Sequence, residues 1–136
     1  MLVKTGDVFL LAFPRNDTVQ SGMRPGVVIQ HNKGNRNSPN VVVVPMTTTP
    51  KNGGDLTHVH IPHEGTGLDK DSYVLCESPY CIPKSSLTKY LTTLPDAYMK
   101  KIAVAYLYGT ELIGILDKEL LLNVWADCAD RWEEGR

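Results

Sequence analysis

The sequence is short of cysteine, of long apolar runs and of net charge, and each shortage narrows what the protein can be. Its three cysteines, Cys76, Cys81 and Cys128, are odd in number and match no common disulfide or zinc framework. A disulfide-stapled secreted domain is therefore not expected, and the chain reads as cytoplasmic. No uninterrupted apolar run approaches the roughly 18 residues of a membrane span, and no charged-then-apolar leader opens the chain. A soluble protein with no membrane partner is expected. Familiar catalytic signatures are missing too: there is no Gly-rich phosphate loop with lysine, no Cys-x-x-Cys and no Gly-x-Ser-x-Gly.

The formal net charge of −1 hides a segregation. Residues 1–110 carry eleven Lys and Arg against eight Asp and Glu, a balance of +3, whereas residues 111–136 carry three against seven, a balance of −4. A mildly basic body with an acidic tail still permits a local patch to bind nucleic acid, because affinity follows the phosphates neutralised rather than the global charge. Ordinary solvated faces explain the same distribution.

What is present reads first as strands. At 136 residues the chain fits one domain, large enough for a hydrophobic core without staples. "GDVFLLAFP" is aliphatic and aromatic between Gly6 and Pro14, and the polar "RNDTVQSGMRP" behind it is long enough to be a functional loop. "GVVIQ" and "NVVVVPM" are two β-branched runs separated by "HNKGNRNSP", whose Gly, Asn and Pro predict a turn. In "THVHIP" alternation puts Thr57, Val59 and Ile61 on one face and His58 and His60 on the other, and "SYVLCES" is a further strand.

From Leu94 the period changes to that of a helix. Met99, Ile102, Tyr106, Gly109 and Ile113 share one side, with Pro95 in the first turn. A second stripe, Leu116, Leu120, Val124, Cys128 and Trp132, recurs every four residues, widened by Leu121 and Trp125, with Asp117, Glu119, Asp127, Asp130, Glu133 and Glu134 on other faces. Such a stripe needs burial, so this helix is expected to dock on the body of the protein or on a partner subunit. About five short strands followed by terminal helices imply a mainly β fold, a small bent sheet or barrel closed by helix.

Two clusters could carry chemistry. His58, His60 and His63 have the residue type for a metal, but a polar strand face running into a loop explains them equally, and no acid or thiol stands at convincing spacing. Arg24, in "GMRPGVVIQ", is the second. A residue directly before proline is held extended, and here it lies where a long polar loop enters an apolar strand. Its guanidinium then offers a fixed fork of donors for a phosphate, although an ordinary surface arginine would read the same way. If the two β-branched strands pair, Thr47 or Thr48, in "PMTTTP", comes near it.

The order and spacing of "GDVFLLAFP", "GMRPGVVIQ", "GNRNSPNVVVVPMTT", "THVHI", "GLDKDSYVLCES" and "LTKYLTTLPDAYMKKIAVAYLYGTELI" resembles the MazF/PemK family, toxins of bacterial toxin–antitoxin pairs. The resemblance implies a small SH3-like barrel of the MazF and CcdB type over residues 1–113, with residues 114–136 as a helical extension packed on it. It implies a homodimer, a single-stranded RNA substrate, an antitoxin with an acidic C-terminal segment as partner, and RNA cleavage with no metal or cofactor. Arg24 and Thr47 match the family's catalytic pair, and Gln20, Ser21, Gly22, Met23, Thr48, Glu77 and Ser78 fall at positions near its RNA groove. Ser78 and Tyr80 stand where relatives often carry glutamine and arginine, so a different cleavage sequence is expected. His31 is one candidate for the base that takes the 2′-proton. Two other readings use the same fold: a module that binds antitoxin or RNA without cutting, and a gyrase poison, against which the acidic ending "DRWEEGR" and the "RP" motif both argue.

Overall fold

The computed structural model describes residues 2–13, 22–51 and 55–135, the last seven of these by backbone alone. Among the described residues seven strands form one curled antiparallel sheet: β1 (Asp7–Ala12), β2 (Met23–Val28), β3 (Asn40–Thr47), β4 (His58–Ile61), β5 (Ser72–Leu75), β6 (Tyr80–Pro83) and β7 (Lys89–Thr93). Three longer or shorter helices follow them, α2 (Asp96–Gly109), α3 (Leu112–Ile115) and α4 (Lys118–Gly135), while α1 (Asn32–Asn37) sits between β2 and β3. The order across the sheet is β4-β5-β3-β2-β1-β7, and β6 also pairs with β3. This is the mainly β architecture with C-terminal helices that the residue pattern implies.

The eight-residue β3 is the spine of the sheet. One of its edges pairs with β2, while the other holds β6 along Asn40–Val43 and then β5 at Met46 and Thr47. The hand-over falls around Pro45, which has no N–H to donate to a ladder, so the strand can change neighbours there without orphaning a backbone donor. A register shift between Val8 and Phe9 adds curl where β1 meets β7.

Because side chains alternate across a strand, the curled sheet buries two cores. Val8, Val27, Val44, Met46, Val59, Ile61 and Val74 face one side, capped by Leu94, Ile102 and Ala105. Phe9, Leu11, Val28, Val41, Val43 and Ile82 fill the other, with Phe13 and Tyr80 half-buried at its margin. α2 reaches the first core with only Ile102 and Ala105 fully buried. Asp7, itself buried, ties β1 to β7 by accepting from the Thr93 hydroxyl at 2.7 Å and from the Lys4 N–H at 2.9 Å.

Three expectations change. Residues 32–37, read as part of a turn, form α1, because tertiary hydrogen bonds hold them: buried Asn35 donates to the Gln30 carbonyl at 2.9 Å, the Lys84 ammonium donates to the Asn35 carbonyl, and the His31 ring accepts from the Gly34 N–H. β6 and β7 are strands that the pattern did not single out, each only four or five residues long and made regular by pairing. The helix expected to run on to Ile113 ends at Gly109, which crosses close above β4: a Cβ there would lie 3.3 Å from the Thr57 methyl.

The C-terminal stripe is the larger surprise. α4 is a helix as its period predicts, yet in the single chain its apolar face is not docked on the sheet; Leu120, Leu121, Leu122, Val124 and Trp125 are all exposed.

Candidate active site

Arg24 lies one residue inside β2, opposite Leu11 of β1, and Pro25 behind it keeps the backbone extended. Its half-buried side chain lines a pocket of about 50 Å³ together with Phe13, Pro45, Leu75, Ser78 and Tyr80. Phe13 and Tyr80 meet edge to face, their ring centroids 5.2 Å apart. Gly26 makes this packing possible: a Cβ there would sit 2.8 Å from the Phe13 ring and 2.9 Å from Leu11. No carboxylate pairs with the Arg24 guanidinium among the described residues, so its donors are open to an anion.

Thr47 reaches the same edge by register. β2 and β3 pair Val28 with Val43, Val27 with Val44 and Gly26 with Pro45, and this register continued by two residues would set Arg24 against Thr47. Directly opposed residues share a face of the sheet. The Thr47 hydroxyl oxygen accepts from the Thr49 N–H at 3.2 Å, which orients it while leaving its own proton to donate. Arg24 and Thr47 thus each lie two residues beyond the Gly26–Pro45 pair, at neighbouring ends of β2 and β3.

The remaining sequence candidates divide. Ser78 lines the pocket with Arg24. Met23 is exposed at the start of β2, Thr48 is exposed just past β3, and Gly22 is exposed with φ +139°, a conformation that favours glycine. Gln20 and Ser21 lie outside the described residues. Glu77 is adjacent to Ser78 in sequence but committed elsewhere, accepting from the Thr57 hydroxyl at 3.1 Å and meeting His58 Nε2 at 2.9 Å. His31 lies beyond the far end of β2 from Arg24 and caps α1, so the pair is not brought together. Tyr80, which the resemblance sets with Ser78 near the RNA groove, also lines the pocket, and the pocket residues that the sequence reading did not place are Phe13, Pro45 and Leu75; the alternation of Phe9, Leu11 and Phe13 was the available signal for the first.

The three histidines are divided among carboxylates. His58 sits between Glu77 and Asp55; its Nδ1 is 3.5 Å from Asp55 Oδ2, close enough for charge attraction but without hydrogen-bond geometry. His60 and His63 share Asp71, at 3.6 and 2.6 Å. Among the described residues, no group of three or more His, Cys, Asp or Glu is placed to hold a metal ion. Donation from the His63 N–H and ring holds the Asp71 carboxyl below its ordinary value of 3.8, and donation from the Thr57 hydroxyl and N–H does the same for Asp55. A carboxyl depressed in the folded state adds stability at pH above 3.8 that is lost as the pH falls through the lowered value. Asp71→Asn is therefore expected to lower the urea midpoint at neutral pH and to flatten its fall on acidification below about pH 4; an unchanged acid limb would refute the assignment. Cys76 differs from the other thiols, pushed up to about 12 by burial with the Glu77 charge adding to it.

Fold and pocket together define a class: a small curled antiparallel barrel with C-terminal helices and an anion-directed edge formed by paired strands β2 and β3. Residues 4–106 match the model of the PemK-like, MazF-like toxins of type II toxin–antitoxin systems, and the chain belongs to that family. It is 37% identical over 114 residues to Endoribonuclease EndoA of Bacillus subtilis (strain 168), which covers 83% of this chain and 98% of that protein. Endoribonuclease MazF of Staphylococcus saprophyticus is also 37% identical, over 102 residues, 74% of this chain and 85% of the relative. A solved endoribonuclease in complex with its cognate antitoxin, from a mycobacterial species, superposes with a TM-score of 0.65 at 25% identity, covering 79% of this chain and 93% of that one. Among the described residues no helix is long and apolar enough to cross a membrane.

Proposed function

We infer that the protein is an endoribonuclease toxin that cuts single-stranded RNA at the Arg24–Thr47 edge without a metal ion. The observation that supports this reading is the β2–β3 register, which continued by two residues brings Arg24, paired with no carboxylate among the described residues, toward the oriented Thr47 hydroxyl. The 2′-hydroxyl oxygen attacks the adjacent phosphorus, the bond to the 5′-oxygen breaks, and the products are a 2′,3′-cyclic phosphate and a 5′-hydroxyl. Negative charge gathers on the nonbridging oxygens in the transition state. Arg24 answers it with charged donors and Thr47 holds one oxygen through its O–H, donors that are already in place before reaction. Met23, Thr48 and Ser78, which lines the Arg24 pocket, serve as RNA contacts in this reading, together with Gln20, Ser21 and Gly22, which precede Met23 in the sequence. The residues around the 2′-oxygen leave the identity of its base to be found; His31 is at the wrong end of the strand.

By kinship with the antitoxin-bound relative, the cytoplasmic partner is an antitoxin whose acidic segment covers the same basic edge, and the working unit is a homodimer. The test is incubation of purified protein with a long RNA in EDTA, followed by mapping of both ends at each cut. Cyclic phosphate and 5′-hydroxyl ends are expected. Cleavage that requires added magnesium, or that leaves 5′-phosphates, would overturn the reading.

A further inference from the structure

Two surfaces of this chain lack a partner, and they match one another. The first is α4, on which Leu120 and Val124 are each 46% exposed and Trp125 is 69% exposed, with Leu121 beside them. At 18 residues the helix is about 27 Å long, and Asp127 borders its apolar side next to Leu120. The second is an open groove of about 660 Å³ between β4 and α2. Leu56, Val104 and Tyr108 line it while remaining more than half exposed, and Lys100 and Lys101 border it. Among the described residues neither lysine meets a carboxylate; Lys101 Nζ instead lies 5.4 Å above the Tyr98 ring.

We propose that α4 of one protomer lies in the β4–α2 groove of a second copy, and that the second returns its own α4 in exchange. The charges favour the match: an acidic helix, from the segment balanced at −4, meets Lys100 and Lys101 at a groove whose lining carboxylate is Asp55. Reciprocity favours this occupant over a foreign one. A second copy covers both apolar surfaces at once through a two-fold exchange, whereas a different protein seated in the groove leaves α4 in water, and one seated on α4 leaves the groove open. The groove lies almost wholly within the family match, whereas the helix that fills it lies beyond residue 106, so α4 is the part particular to this chain. The exchange rests on the homodimer reading only in needing a second copy.

Directed cross-linking tests it. One chain carries Val104→Cys with Cys81→Ser and Cys128→Ser; the other carries Cys81→Ser alone and keeps Cys128 on α4, while buried Cys76 stays in both. The two are mixed, treated with a short bis-maleimide and checked for folding by circular dichroism. A product containing one of each chain, absent from either chain alone, is expected, and its yield should drop several-fold with Lys100→Glu and Lys101→Glu and recover with Asp127→Lys. A link within a single chain carrying Val104→Cys and Cys128 would overturn the proposal by showing that α4 folds back on its own groove. No link in a protein that sediments as a dimer would overturn it while leaving the homodimer reading intact. No link in a protein that sediments as a monomer would overturn both.

Discussion

Arg24→Ala is expected to slow RNA cleavage by roughly 10²- to 10³-fold, about 2.7–4 kcal/mol of transition-state stabilisation, with the protein still folded. The magnitude follows from what is removed. Arg24 brings the charged donors of the pocket, and a donor fixed in place before reaction contributes fully at the moment charge develops. Structure should survive because the side chain lies at the rim of the second core, while Leu11 opposite it and Val27 and Val28 farther along the strand remain buried. Arg24→Lys should recover only part of the rate, since an ammonium keeps the charge but loses the bidentate fork. Thr47→Ala removes one neutral donor and should cost less, on the order of tenfold. Single-turnover cleavage of a defined RNA, with circular dichroism on the same samples, provides the measurement. A folded Arg24→Ala protein that cuts at the parental rate would remove the mechanism.

The largest effect on stability is expected from Ile102→Ala, at about 2–5 kcal/mol. α2 enters the first core through Ile102 and Ala105 alone as fully buried residues, with Tyr98 and Met99 only partly covered. Truncation leaves a cavity among Val44, Met46, Val59 and Val74, which are strand residues held by their ladders and poorly able to collapse into it. For a domain with the usual margin of about 5–15 kcal/mol, the urea midpoint should fall substantially. Ala103→Ser, the next residue and exposed outside the groove, is the control and should leave the midpoint nearly unchanged. Equal midpoints for the two variants would show that α2 is not anchored as described.

Much of the barrel was legible in the chain because local pattern and burial agree there. Alternation in "GDVFLLAF" separates Val8 from Phe9 and Leu11, and the structure sends them to the two cores as that period requires. "THVHIP" behaves in the same way, with Val59 and Ile61 buried and His60 exposed. The helical period after Leu94 picked out Ile102, which is the anchor of α2. Arg24 could be singled out because its neighbours, a polar loop before and Pro25 after, fix its backbone whatever the rest of the chain does. That Thr47 or Thr48 would come near it rested on the assumption that two β-branched strands pair, and β2 and β3 do pair as far as Gly26 and Pro45.

What sequence determined, then, is everything set by neighbours along the chain: strand faces, helix period, the extended backbone at Arg24 and the segregation of acids into the tail. Tertiary structure decided whatever depends on distant partners. Glu77 and Ser78 are adjacent residues, yet one turns to His58 on β4 and the other to the Arg24 pocket, because the chain is turning between β5 and β6 there and each side chain takes the partner it finds. Residues 32–37 become a helix only because Asn35 is buried and bonded to Gln30 and Lys84. β6 and β7 are strands by pairing rather than by composition. The stripe on α4 shows the same division most plainly: its period makes it a helix and its apolar face requires a cover, but the identity of that cover lies in a surface that no residue within the helix can specify.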